Sequence, residues 1–336
     1  MIGKIKKFTN EITQKNMKDK IIEKIEQSQK IAIFCHENPD WDAIGSLLWI
    51  WTLLQNMWKD IKLIAPDIPS KIFRFLPWFN KIKSEFDYWI YDLIILVDCS
   101  ELARIWKISK WKEDYFEKQN VVVFDHHKSK EWNNKRLIKV DPNATSCCEV
   151  IFETTKDILK QYITPEVATY FYLWLSTDSG NFRFDEDHER IFTNALNLIK
   201  FWANKKLITD NITNSKSIET INFFKILLER MIREWNILYT YYDTDELKDY
   251  WVDNEQAWYW LTVIQEIRWP KITMTIRKEW DSIKCSMRSK NTDIEKIAAE
   301  FGGWWHIHAS WFSRPIEKDF ETTIHEIVNK INWMIK

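Results

Sequence analysis

Four short apolar runs punctuate the first 130 residues: 31–36 (IAIFCH), 61–65 (IKLIA), 93–98 (LIILVD) and 121–127 (VVVFDHH). They do not alternate. Continuous Val/Ile/Leu runs of this length predict strands buried on both faces, and sheets covered in that way are parallel. A helix is expected between the first two, from about Ala43 to Met57. Helical periodicity returns over 146–160, 165–176 and 188–204. A long amphipathic stretch at about 217–240, with few turn signals, predicts a helix joining two domains. The period then changes. Tyr259–Glu266, Ile272–Arg277 and Ser282–Arg288 alternate like strands of a mixed or antiparallel sheet. Helices at about 293–300 and 320–335 close the chain. The predicted fold class is α/β. A parallel-sheet domain spans 1–205, a helical linker 206–245, and a smaller α/β domain with a mixed sheet 246–336. The 336 residues are ample for two cores.

Strands of this kind carry function at their carboxyl ends, and here those ends are loaded. The first delivers His36, Asp40 and Asp42, the third Asp98, the fourth Asp125, His126 and His127. Asp178, in Thr177-Asp178-Ser179-Gly180, follows a helix. A single Asp after a strand is commonly a helix cap, and a lone His is commonly a hydrogen-bonded structural residue. Five Asp and three His from four segments exceed what capping needs. Carboxylates mixed with imidazoles suit Mn²⁺, Mg²⁺, Co²⁺ or Fe²⁺ better than a closed structural zinc site. There are enough ligands for two ions sharing one carboxylate.

Composition changes the picture at one point: the chain has 21 Trp and 5 Gly. Trp41 lies between Asp40 and Asp42, Trp58 at an expected helix end, and Trp304-Trp305 directly after Gly302-Gly303. Such places call for a positive φ or a close backbone approach, which is the role of glycine. Trp and Gly together make up roughly 8 % of the chain, near the ~7 % glycine of average proteins. Two readings follow. Many or all of these Trp are glycines in the cell, read from UGA codons, or the protein stacks indoles on bases. The sequence favours the first, because stacking gives no reason to place Trp in tight loops.

With 48 basic and 49 acidic residues, no global field draws the chain to nucleic acid or membrane, so an anionic substrate needs a local cluster. The five Cys form no CxxC pair and fit a reduced, cytoplasmic protein. The longest apolar stretch, Ala43–Leu54, is too short to span a bilayer.

In order and spacing, His36-Glu-Asn-Pro-Asp40-x-Asp42-Ala-Ile-Gly45-Ser46, the Asp98 motif, Asp125-His126-His127 and Thr177-Asp178-Ser179-Gly180 resemble the four motifs of the DHH phosphoesterases. Ser286-Met-Arg288-Ser289 and Gly302-Gly303-Trp304-Trp305-His306-Ile-His308-Ala309-Ser310-Trp311-Phe312 resemble the associated C-terminal domain. Trp41, Trp304, Trp305 and Trp311 fall on glycine places of that pattern, and Ser310 on an alanine place. The resemblance implies that His36, Asp40 and Asp98 hold one metal and Asp42, Asp98, His126 and Asp178 the other, with Asp98 bridging. It implies that Asp125 orients His126, and that His127 touches the substrate phosphate or protonates the leaving group. The 302–305 segment would present backbone N–H groups to a terminal phosphate, helped by His306 and Arg288. Arg183 is a weaker contact, as fit for a salt bridge, and His308 and Ser310 are loop support.

The implied activity is metal-dependent hydrolysis, with Mn²⁺ foremost, of short oligoribonucleotides (pApA-type dinucleotides included) to 5′-mononucleotides, and of 3′-phosphoadenosine 5′-phosphate to AMP. The alternatives are a cyclic-dinucleotide phosphodiesterase or a single-strand exonuclease of the same family, and a non-catalytic nucleotide-binding protein. The expected partners are short RNA or nucleotide phosphates and no membrane, with a homodimer compatible with the resemblance.

Overall fold

Alternate residues of the first, third and fourth apolar runs go to opposite faces, and both faces are dry. In a computed structural model, describing residues 16–127, 136–157, 159–182, 188–212, 214 and 216–335, Ile31, Ile33, Leu93, Ile95, Val122 and Phe124 enter one apolar cluster. Ala32, Phe34, Ile94, Leu96, Val121 and Val123 enter another. This explains the unalternating runs. The chain divides into two compact units, 1–214 and 215–336, a boundary inside the segment expected as linker.

Unit 1 runs through α1 (16–27), β1 (Lys30–Phe34), α2 (Trp41–Asn56), β2 (Asp60–Ile64), β3 (Ile82–Lys83), β4 (Leu93–Val97), α3 (Trp106–Ser109), α4 (Glu113–Lys118), β5 (Val121–Asp125), β6 (Arg136–Val140), α5 (Cys147–Thr155), α6 (Pro165–Asp178), α7 (His188–Lys200) and α8 (Lys205–Ile212). Its six strands are ordered β3-β2-β1-β4-β5-β6 and every pair is parallel. Strand order reverses between β1 and β4. Ligands of open parallel sheets bind beyond the carboxyl ends of strands at such a reversal, and His36 and Asp98 follow those two strands. α2 starts where Asp40 caps it, its Oδ1 accepting from the Ala43 amide at 3.1 Å.

Unit 2 runs through α9 (Ile218–Glu229), β7 (Ile232–Glu234), β8 (Ile237–Asp243), α10 (Glu246–Asp249), α11 (Asn254–Ile264), β9 (Ile272–Glu279), β10 (Ser282–Ser289), α12 (Ile294–Ala299), β11 (Trp304–His306), β12 (Ala309–Pro315) and α13 (Phe320–Met334). The sheet order is β11-β12-β10-β9-β8-β7. β8–β9 is parallel and the other pairs are antiparallel, so the sheet is mixed, as expected. α12 and α13 pack Ile294, Ile297, Ile324, Ile327 and Ile331 against Met274, Cys285 and Phe312.

Two expectations are corrected here. The single helix expected at 217–240 stops at Glu229, and a β-hairpin follows. Tyr259–Glu266, read as a strand, lies largely within α11. Asp253 and Gln256 form a reciprocal capping box at the start of that helix. Its buried residues Ala257, Trp260, Leu261 and Ile264 recur at i, i+3, i+4 and i+7, a spacing that the local alternation hid.

Gly302 and Gly303 end α12. Gly302 has φ +76°, and a Cβ built on Gly303 would lie 2.1 Å from the Trp311 carbonyl oxygen and 2.5 Å from Phe312 Cβ. Both obstacles belong to β12, which cannot move without breaking its pairing. Gly303→Ala is therefore expected to destabilise unit 2 by about 3 kcal/mol or more. A chemical denaturation curve checks this; a change under about 1 kcal/mol would mean that β12 yields freely.

Candidate metal centre

His36 leaves β1 and is held by a 2.7 Å contact between Nδ1 and the Glu37 carbonyl, which leaves Nε2 facing Asp98 Oδ2 at 3.2 Å and Asp40 Oδ1 at 3.9 Å. The loop behind it is pinned. The Glu37 amide donates to the Arg104 carbonyl at 2.8 Å, and Asp67 accepts from the Asn38 amide at 2.9 Å while pairing with Lys107. Asp98 leaves β4 with φ +56°. Its amide approaches both Phe124 O at 3.0 Å and Cys147 Sγ at 3.1 Å.

At the end of β5, Asp125 Oδ1 accepts from the amides of His126 (2.8 Å) and His127 (3.1 Å) and from His127 Nδ1 at 2.8 Å. The orienting role expected of Asp125 toward the His126 ring therefore falls elsewhere. Asp125 binds the His127 ring, while His126 Nδ1 lies 3.3 Å from the Ala144 carbonyl. His126 Nε2 then lies 3.6 Å from Asp98 Oδ1 and 3.7 Å from Asp42 Oδ2. His127 Nδ1 is 3.6 Å from the same Asp98 oxygen.

Asp42 is the second residue of α2 and meets the N-terminus of α5. The amides of Cys147 and Cys148 donate to its two carboxylate oxygens at 2.8 and 3.2 Å, and Ser46 Oγ donates at 3.2 Å. The resemblance assigned these three residues no part here. Ser146 caps α5, and no sequence signal says that the amides behind it land on a carboxylate more than a hundred residues away.

Five of the six expected ligands thus lie together. His36, Asp40 and Asp98 form one group, and Asp98, His126 and His127 another, with the ligand atoms of each group within 4.8 Å of one another. Asp42 adjoins the second. Asp178 is the last residue of α6; its side chain and Arg183 lie outside the described residues.

The electrostatics ask for cations. Burial, then the Asp42 and Asp40 charges, push the Asp98 carboxyl well above its usual range. Burial, then Asp40, raise Asp42 to about 7. Burial and the neighbouring His127 lower His126 to about 4, and burial lowers His36, so both imidazoles are neutral and able to ligate. Burial also acts on Asp125, but the His127 hydrogen bond and charge outweigh it and hold this carboxyl at about 2. Asp98 Oδ1 is buried with no hydrogen-bond partner among the described residues. Buried carboxylates facing neutral imidazoles, one with an orphaned oxygen, fit divalent cations. Asp125→Asn keeps the shape but weakens the hold on His127, so a 10–100-fold loss of turnover or metal affinity is expected. Equilibrium dialysis with kinetics tests it, and parent-like values would remove Asp125 from the site.

Residues 30–173 match the DHH family, N-terminal domain. The matched segment lies within the first unit. Relatives extend over most of the chain. The bifunctional oligoribonuclease and PAP phosphatase NrnA of Mycoplasma genitalium is 24 % identical over 92 % of this chain and 96 % of its own length. The protein of that name from Bacillus subtilis is 22 % identical over 88 % and 92 %. The crystal structure of an exopolyphosphatase-related protein from Bacteroides fragilis superposes with a TM-score of 0.84 at 22 % identity, covering 94 % of this chain and 95 % of that one. That likeness establishes the fold over both units.

In unit 2, Arg288 lies buried on β10, with Nη1 donating to the Met287 carbonyl at 2.8 Å; burial lowers its pKa to about 10. The expectation that the Gly302 and Gly303 amides greet a phosphate is corrected. They donate to Ala299 O at 3.0 Å and Ala298 O at 2.8 Å, closing the end of α12. Residues 304–306 are not a loop but a strand paired with β12; their side chains lie outside the described residues. No helix among the described residues is long and apolar enough to cross a membrane.

Proposed function

We propose that this chain is a metal-dependent phosphoesterase that hydrolyses short oligoribonucleotides to 5′-mononucleotides and 3′-phosphoadenosine 5′-phosphate to AMP. The observation that carries the reading is the buried Asp98 carboxylate between two His-containing ligand groups, within a segment that matches the DHH family, in a chain whose relatives bear names of that activity. His36, Asp40 and Asp98 would hold one divalent cation, and Asp42, Asp98, His126 and Asp178 a second. Mn²⁺ suits this mixture of carboxylate and imidazole. Such a pair supplies a hydroxide near neutral pH and offsets charge on the phosphoryl oxygens.

The chain's own residues do the rest. Glu37 O and Ala144 O fix the two ligating imidazoles. The α5 amides hold both oxygens of Asp42. His127, with Nδ1 anchored on Asp125, is placed to carry a proton toward the leaving oxygen. In unit 2, Arg288 and His306 are assigned to the terminal phosphate. Gly302 and Gly303 contribute the sharp exit from α12 that begins the strand bearing His306. A grip on the 5′ end would limit substrates to short lengths, which agrees with the balanced net charge.

The test is Mn²⁺-dependent formation of AMP from pApA and from 3′-phosphoadenosine 5′-phosphate, followed by chromatography with an EDTA control. No metal-dependent product from either, in folded protein, would overturn the reading. Arg288→Lys loses the planar two-pronged contact, so KM should rise about tenfold or more with kcat less affected. An unchanged KM would remove Arg288 from the phosphate site.

A further inference from the structure

Twelve non-glycine residues have a positive φ among the described residues, and seven are Trp: Trp58, Trp78, Trp111, Trp202, Trp235, Trp251 and Trp280. Trp is only 21 of the 336 residues. A bulky side chain in the left-handed region is an outlier wherever it occurs, because its Cβ crowds the following carbonyl. Seven outliers of one residue type need a common cause.

The positions are those that glycine fills. At the end of α2, the Trp58 amide donates to Gln55 O at 2.9 Å and the Lys59 amide to Leu54 O at 3.2 Å. At the end of α7, Trp202 donates to Ile199 O at 3.0 Å and Ala203 to Leu198 O at 3.1 Å. At the end of α10, Trp251 donates to Lys248 O at 3.2 Å and Val252 to Leu247 O at 2.9 Å. Each is the paired closure of a helix by a left-handed residue that is usually glycine. The protein supplies its own control. Gly302 and Gly303 close α12 with the same two bonds, and Gly302 has the same left-handed backbone. Trp235 and Trp280 are the first residues of the two-residue loops joining β7 to β8 and β9 to β10, where tight hairpins take glycine or asparagine. The indoles gain little by burial: Trp58, Trp251 and Trp280 are 88, 87 and 92 % exposed.

We infer that these seven positions are glycine in the functional protein, their codons being UGA read as glycine in the cell that makes it. The inference is bounded by the same geometry. Trp41 has no positive φ, contrary to the expectation for that place; it opens α2 and packs edge-to-face on Phe73 with ring centroids 4.5 Å apart. Trp304, Trp305 and Trp311 are strand residues without a positive φ. Trp49 is fully buried beside Phe171. Backbone conformation demands glycine at none of these.

The test is the gene and the native protein. TGA at all seven positions, and glycine there in peptides sequenced by mass spectrometry from the protein's own cells, is the expected result. TGG codons or tryptophan-bearing peptides at these positions overturn it. An independent arm compares two sevenfold variants, all Trp→Gly and all Trp→Ala. Alanine keeps the Cβ, so the glycine variant should melt at least about 10 °C higher. Equal melting temperatures would show that the positions do not require glycine.

Discussion

Asp98→Asn should abolish hydrolysis, lowering kcat by about 10³-fold or more. Asp98 is the carboxylate common to both ligand groups, with Oδ2 3.2 Å from His36 Nε2 and Oδ1 3.6 Å from His126 Nε2. Asparagine is the informative replacement because it tolerates the left-handed backbone found here, φ +56°, whereas alanine would add strain to the loss of the ligand. The amide cannot bring the charge that a bridging position needs. Metal stoichiometry, measured by dialysis, should fall with turnover. The metal-free variant should be at least as stable as the metal-free parent, since the amide removes the cost of burying an ionisable carboxyl. A variant retaining more than about a tenth of the parent's kcat would show that the metals do not share this residue.

The second large effect is on stability without metal. Asp42 is raised from 3.8 to about 7 by burial and by Asp40. Its folded value lies above its unfolded one, so the folded state binds the proton more tightly, and its contribution is lost as pH rises from about 4 to about 7. The difference amounts to ~4 kcal/mol for this group alone. Asp98 shifts in the same direction. Asp125 works oppositely: held at about 2, it stabilises above about pH 4 and loses that contribution only as pH falls toward 2. His126, lowered to about 4, and His36, also lowered, oppose the raised carboxyls below about pH 6.5, but those two carboxyls outweigh them, so EDTA-stripped protein should resist urea better near pH 5.5 than near pH 8. Mn²⁺ should restore stability mainly at the higher pH. Equal stability of the stripped protein at both values, or no gain on adding metal, would mean that the carboxylates are compensated from within the chain.

Much of this was legible beforehand. Strand runs ending in His36, Asp98 and Asp125-His126-His127 announced a parallel sheet with its chemistry at one edge, because burial on both faces removes alternation and leaves polar residues only at the ends. The failures have equally local causes. Residues 259–266 alternate over a few positions while carrying a helical spacing over the longer span 253–264, and the capping box at Asp253 decided it. The hairpin after α9 was hidden because its turn residue, Trp235, does not look like a turn residue.

Four things were determined by the sequence itself: the fold class, the ligand types, their grouping by strand end, and the anomaly of Trp at glycine places. Each depends on residue identity at short range. Tertiary structure alone decided which groups meet. Only the β1–β4 reversal brings His36 to Asp98, only the docking of α5 places two amides on Asp42, and only its contact with His127 shows which ring Asp125 holds. It also decided which Trp sit in left-handed backbone and which pack as side chains. These are distances between segments far apart in the chain. They follow from how sheets and helices stack to bury apolar surface, a constraint on the whole fold that no single stretch of residues carries.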